Sequence, residues 1–242
     1  MYILGIDTAT LVCSAAVVDR EQTLAEYNLQ VKKTHSERLL PLIDTMLRDA
    51  GLSLTDLAGI AIAAGPGSFT GLRIGMVTAK ALGQALDLKL VGIATLEALA
   101  AQHPHFQGVI SPILDARRQQ VYQALFAPGQ RPTYLIKERV LAVTTLLDEL
   151  AERREQVLFV GDGVLVHRQM IEEKLGSRAC FMPPDGGICR AATVARLGLE
   201  ELVAGRGQTW RNLEPFYVRR SEADVKYDQR VCEGGKADDC SD

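Results

Sequence analysis

Two short stretches decide the fold: Ile3-Leu4-Gly5-Ile6-Asp7 near the start, and Ser111-Pro112-Ile113-Leu114-Asp115, 108 positions later. Each is an apolar strand pattern that ends in an acid, and each opens the same succession of elements. After the first, residues 13–18 and 23–29 read as strands, separated by Asp7-Thr8-Ala9-Thr10 and Asp19-Arg20-Glu21, so the chain starts as a β-meander. Thr34-His35-Ser36-Glu37 then fits a capping box, and Leu39, Ile43, Met46, Leu47 and Ala50 recur at helical spacing until Gly51 stops the run. Pro41 is expected to kink that helix. A strand over 59–64, a glycine-rich loop, a long helix over 70–86, a strand over 91–93 and a helix over 96–102 capped by Thr95 follow.

After His103-Pro104-His105-Phe106 the order starts again. Strands are expected over 109–115, 120–126, 133–138 and 157–160, with helices over 145–155, 165–175 and 190–204. The expected architecture is α/β, with two similar lobes in tandem, 1–103 and 104–222, meeting at a cleft. Residues 223–242, with Gly234-Gly235 and few apolar side chains, cannot offset their ordering entropy and are expected to be a disordered acidic tail.

Composition narrows the classes. The 242 residues lie near the length at which one core stops growing, and 47% hydrophobic with 24% charged residues excludes collagen, coiled coil and wholesale disorder. No apolar run approaches the roughly 18 residues that cross a bilayer. The start Met1-Tyr2-Ile3-Leu4 lacks the basic opening of a signal peptide, so a cytosolic protein without membrane contact is expected. Cys13, Cys180, Cys189, Cys232 and Cys240 are widely spread, which favours neither a zinc site nor a disulfide framework. Of the net charge of -3, residues 221–242 contribute seven acids against three bases, so the rest sums to +1 and shows no clustered basic face for nucleic acid.

Three features could carry chemistry. Asp7-Thr8 after the first strand, with Asp115 and Gly161-Asp162-Gly163 in the second half, could line a nucleotide cleft in which a carboxylate holds a magnesium-bound water. The alternative is that Asp7 shapes its own turn. The loop Gly65-Pro66-Gly67-Ser68-Phe69-Thr70-Gly71-Leu72-Arg73-Ile74-Gly75 opens a helix, where amides favour anions, but it lacks the Gly-Lys-Ser/Thr ending and the dinucleotide spacing. Ser68 is no nucleophile elbow, since Pro66 and Thr70 stand where glycines are needed. Within the same helix, Gly71, Gly75, Ala79 and Gly83 form a ridge of small residues at intervals of four. Leu72, Ile74, Met76, Val77, Leu82 and Leu86 point in more directions than one sheet covers, so a partner helix is expected on this ridge. Histidine offers no metal pair, because Leu39 stands one turn after His35 and His103, His105 and His167 read as loop-like positions.

Taken together, Ile6-Asp7-Thr8-Ala9-Thr10, His35-Ser36-Glu37-Arg38-Leu39-Leu40-Pro41, the glycine loop, and Asp115-Ala116-Arg117-Arg118 with Val121-Tyr122 resemble the TsaB family, formerly YeaZ. The resemblance runs from Met1 to about Arg220 and closes with Glu214-Pro215-Phe216-Tyr217-Val218-Arg219-Arg220. It implies two ribonuclease-H-like lobes of the actin/hexokinase-like (ASKHA) fold. It also implies a non-catalytic scaffold for threonylcarbamoylation of adenosine 37 in tRNA. Such a subunit binds its paralogue TsaD, helps recruit the ATPase TsaE, touches tRNA only indirectly, and pairs with itself when TsaD is absent. In that family the first two helices make the partner surface. Here they would offer His35, Leu39, Leu42, Ile43 and Met46 from residues 35–50, and Gly71, Leu72, Arg73, Gly75, Met76, Ala79, Lys80 and Gly83 from residues 70–86. No cofactor is implied.

Two other readings differ in class. An enzyme hydrolysing ATP with magnesium would use Asp7, Thr8, Asp115, Gly161, Asp162 and Gly163, although Arg117 and Arg118 put bulk where a small phosphate loop belongs. A glycoprotease-like peptidase would need a zinc site or an activated nucleophile, and the sequence presents neither.

Overall fold

Alternation along the first strand sets the layers. In β1 (Tyr2–Asp7), Leu4 and Ile6 face one side of a sheet while Ile3 and Gly5 face the other. The structure is a computed structural model that describes residues 1–30, 35–183 and 186–218. β1 pairs antiparallel with β2 (Cys13–Val18), which pairs with β3 (Thr23–Leu29), and it pairs parallel with β4 (Leu57–Gly65). With β5 (Lys89–Ala94) the order is β3-β2-β1-β4-β5. The second sheet repeats the plan as β10-β9-β6-β7-β8, built from β6 (Val109–Asp115), β7 (Gln120–Ala127), β8 (Thr133–Ala142), β9 (Val157–Val160) and the three-residue β10 (Ala179–Phe181). The expected meander, and the acid closing each first strand, are therefore present twice.

Helices complete five layers. α1 (His35–Asp49) and α2 (Phe69–Ala85) cover the outer face of the first sheet, burying Leu39, Leu42, Ile43, Met46, Met76 and Ala79 against Leu4, Ile6 and Ile62. α4 (Val143–Ala151) and α5 (Gly163–Leu175) cover the outer face of the second. Between the sheets lie α3 (Thr95–Ala101) and α6 (Ala191–Val203), in a core that joins Ile3, Ala61 and Val91 to Ile110, Phe126 and Val160.

Glycines let α6, which follows the second sheet in sequence, settle on the first sheet. A Cβ on Gly5 would stand 2.2 Å from the Ala191 carbonyl, and one on Gly198 would stand 2.2 Å from the Ala61 Cβ. The N-terminus of α6 is held by first-lobe side chains: the Ala191 N–H donates to Ser14 at 3.1 Å and the Ala192 N–H to Glu26 at 3.0 Å. A carboxylate there satisfies open helix amides and complements the helix dipole.

Some local expectations change. α1 runs as one helix from His35 to Asp49 with Pro41 inside it, the proline giving up one internal bond without ending the helix. Ala94, not Thr95, is the N-cap of α3, and the Thr95 hydroxyl is buried without a partner. His167 lies in α5, 3% exposed, rather than in a loop. Thr34 of the capping box and the tail 223–242 lie outside the described residues. Among the described residues no helix is long and apolar enough to cross a membrane.

Candidate functional site

The turn after β1 is built inward. Asp7 is fully buried; its carboxylate accepts the Ala9 N–H at 2.9 Å, the Thr10 hydroxyl at a long 3.5 Å, and the Cys189 thiol. Burial pushes its pKa up to about 7, which outweighs the Ala9 hydrogen bond pulling the other way. Burial also raises Cys189 well above an ordinary thiol, so it stays a neutral donor. Next in sequence, the Thr8 hydroxyl donates to the Gly71 carbonyl at 2.8 Å.

The glycine loop closes over this turn. The Ser68 N–H donates to the Ala9 carbonyl at 2.7 Å, and a Cβ on Gly67 would stand 2.4 Å from that same oxygen. The Ser68 hydroxyl accepts the Gly71 N–H, capping α2 with the loop's own side chain. Several of the amides and hydroxyls that could cradle an anion are thus spent on the protein itself.

In the second lobe, the Asp115 N–H donates to the Asp162 carboxylate at 3.1 Å, and Asp115 accepts the Arg117 N–H at 2.9 Å. Desolvation raises the pKa of Asp162, and Asp162 in turn adds a small repulsion to Asp7, so the structure brings these two acids from opposite lobes into one electrostatic neighbourhood. Gly161 has φ +99° and sits 2.3 Å, by its would-be Cβ, from the Ile113 carbonyl, while Gly163 packs on the same residue. Arg117, Arg118 and Gln119 all adopt positive φ, an unusual run for non-glycine residues. Among the described residues no group of three or more His, Cys, Asp or Glu side chains could hold a metal ion.

The expected partner ridge turns the other way. A Cβ on Gly71 would meet the Thr8 carbonyl oxygen at 2.0 Å, one on Gly75 the Thr8 hydroxyl at 2.3 Å, and one on Gly83 the Leu90 Cδ1 at 2.2 Å. With Ala79 wholly buried, the ridge is where α2 presses onto its own sheet. The reading of Gly71, Gly75, Ala79 and Gly83 as an open docking face is therefore corrected: a bare stripe permits close approach, and the nearest surface is the chain's own. Leu39, Leu42, Ile43 and Met46, with Leu72 and Met76, are likewise core, each at most 5% exposed.

The residues that the two helices show to solvent include Leu40 (53% exposed), Pro41 and Asp44 on α1, and Arg73 and Val77 (66%) on α2. Of the expected contact residues, Arg73 is exposed, and His35 and Lys80 are half-buried. The Arg73 guanidinium lies 3.9 Å over the Phe69 ring, which packs against Tyr217 at 5.2 Å, so the final described segment braces the start of α2. The sequence carried no signal for that brace beyond its aromatic pair.

Known proteins resolve the likeness. A family profile described as TsaD, tRNA N6-adenosine threonylcarbamoyltransferase, matches residues 24–227. The chain is 37% identical over 94% of its length to the Bacillus subtilis tRNA threonylcarbamoyladenosine biosynthesis protein TsaB, covering 98% of that protein. It is 31% identical to the Escherichia coli protein of the same name, over 92% of this chain and 96% of that one. Among solved structures, YeaZ from Pseudomonas aeruginosa superposes with a TM-score of 0.74 at 23% identity, covering 89% of this chain and 99% of that one. The Acidaminococcus fermentans (R)-2-hydroxyglutaryl-CoA dehydratase component A gives 0.51 at 13%, covering 84% and 99%. The two-lobed fold is the ASKHA architecture, and the chain belongs to the TsaB family.

Proposed function

We propose that this protein is a non-catalytic scaffold in the making of tRNA threonylcarbamoyladenosine, acting in the cytoplasm by binding a TsaD paralogue. The observation that carries this reading is the near full-length identity to TsaB proteins named for that pathway. The inward commitment of Asp7, Thr8 and the glycine loop supports a scaffold over a nucleotide enzyme, because groups already satisfied by the fold are not free to hold a ligand.

The docking face in this reading is the solvent side of α1 and α2, around Leu40, Arg73 and Val77. Large apolar side chains exposed together on neighbouring helices suit association. The same face would close on a second copy when TsaD is absent, and TsaE would join the pair rather than this chain alone. Contact with tRNA is indirect.

The experiment is mass spectrometry of tRNA nucleosides from host cells depleted of the protein. Threonylcarbamoyladenosine should disappear and return with the wild-type gene. Unchanged modification would overturn the reading.

A further inference from the structure

One edge of the first sheet is left partly open. β5 ends the strand order, and Leu90 exchanges both backbone bonds with Gln208, at 2.9 and 2.8 Å. Because successive strand residues turn their backbone groups to opposite sides, the N–H and C=O of Gly92 face the same outer side as those of Leu90. Among the described residues no hydrogen bond reaches them there. The chain that follows Gln208 next bonds to the sheet at Phe216, whose N–H donates to the Ala64 carbonyl at 2.7 Å, and on the way the buried Leu213 packs its side chain over Gly92. Between these ties its backbone makes no bond to β5, and a cavity of about 570 Å³ opens beside the strand.

The cavity is walled by acids. Glu138 from the second lobe, Glu201 from α6 and Glu214 from the segment between those ties stand around it, with Arg206 as the cation of the lining. Arg206 is already held by both oxygens of Glu201. Glu138 receives only the neutral Tyr134 hydroxyl, and no ion pair reaches Glu138 or Glu214 among the described residues. The half-exposed Phe216 supplies apolar surface beside the free backbone edge, over a floor formed by the buried Val91 and Leu213.

We infer that this opening docks an extended, basic segment of a partner protein, which pairs its backbone with Gly92 and sets lysine or arginine side chains against Glu138 and Glu214. Strand addition supplies main-chain hydrogen bonds at an edge, and flanking side chains choose the sequence. The negative wall selects cations and rejects acidic segments. A helix cannot satisfy the edge, since its backbone groups are spent internally. The inference stands apart from the α1–α2 face and from the role in tRNA modification.

The test titrates the full-length ¹⁵N-labelled chain with a capped heptapeptide alternating valine with lysine and arginine. The Gly92 amide should shift and exchange more slowly with solvent. A Glu138→Gln, Glu214→Gln double variant should weaken binding at least about tenfold, two lost charge pairs being worth that much. A peptide N-methylated on its pairing face should not bind. A silent Gly92 amide, equal binding of the glutamate counterpart, or indifference to N-methylation each overturns the proposal. The last two use only the wild-type chain and decide the matter even if the double variant fails to fold.

Discussion

The Thr8 hydroxyl donates to the Gly71 carbonyl across 2.8 Å, so the turn after the first strand and the first turn of α2 share one buried hydrogen bond. Gly75, one helical turn on, would drive a Cβ to 2.3 Å from the same hydroxyl oxygen. The ridge of small residues and the Asp7-Thr8 turn are therefore two sides of one internal contact.

Gly75→Leu should accordingly damage the folded chain rather than an external interface. Overpacking against Thr8 and the Ile62 Cδ1 at 2.9 Å should cost at least about 2 kcal/mol. Urea denaturation of the isolated protein reads this directly, and an unchanged midpoint would show that the helix can slide away from the sheet.

Substitutions on the solvent side should behave oppositely. Leu40→Asp with Val77→Asp touches no core contact, so stability should stay within about 0.5 kcal/mol of wild type. Association with TsaD, followed by calorimetry, should fall at least tenfold. Undiminished association would move the docking face elsewhere.

Asp7 makes stability depend on pH. Its folded pKa of about 7 lies above the ordinary carboxylate value, so the folded state holds a proton that the unfolded chain has released. The stabilisation this proton brings is complete below about pH 4 and is lost as pH rises through about 7. Asp7→Asn should flatten the profile between these limits in denaturation series at stepped pH. Parallel profiles for the two proteins would mean that Asp7 does not titrate in this window.

The lobes are also tied by charge. Arg131 reaches Glu97 of α3 at 3.1 Å and Glu201 of α6 at 2.6 Å, and those two carboxylates are 12% and 14% exposed. Arg131→Met should cost about 1–3 kcal/mol, chiefly by stranding Glu97, since Arg206 still holds Glu201, and less than a fully buried pair would. Glu97→Gln should recover part of the loss in a double-mutant cycle. Strict additivity would show that the two residues do not interact in solution.

Much of the fold was legible because strand alternation and helix spacing are local. Ile3 to Asp7 and Val109 to Asp115 announce buried strands ending in an acid, and the turn residues between 7 and 23 force a meander whatever lies around them. The glycine-rich loop announced α2, expected over 70–86 and found over Phe69–Ala85, while the capping role of Ser68 was not read from the sequence. The three-residue β10 was not legible, since its pairing with β9 supplies what its own length cannot.

Direction was a different matter. The sequence alone determined that Gly71, Gly75, Ala79 and Gly83 share one face of a helix, that Leu39, Ile43 and Met46 share a face of another, and that two similar units follow each other. Only the tertiary structure decided that both faces turn to the chain's own sheet, because periodicity defines a stripe but not the surface that covers it. It also decided that α6 crosses to the first lobe, where Gly5 and Gly198 leave room for its backbone, and that Cys189 meets Asp7 from 182 positions away. Such contacts join residues distant along the chain, and they form where the sum of burial and hydrogen bonding is best for the whole molecule, a quantity that no local pattern contains.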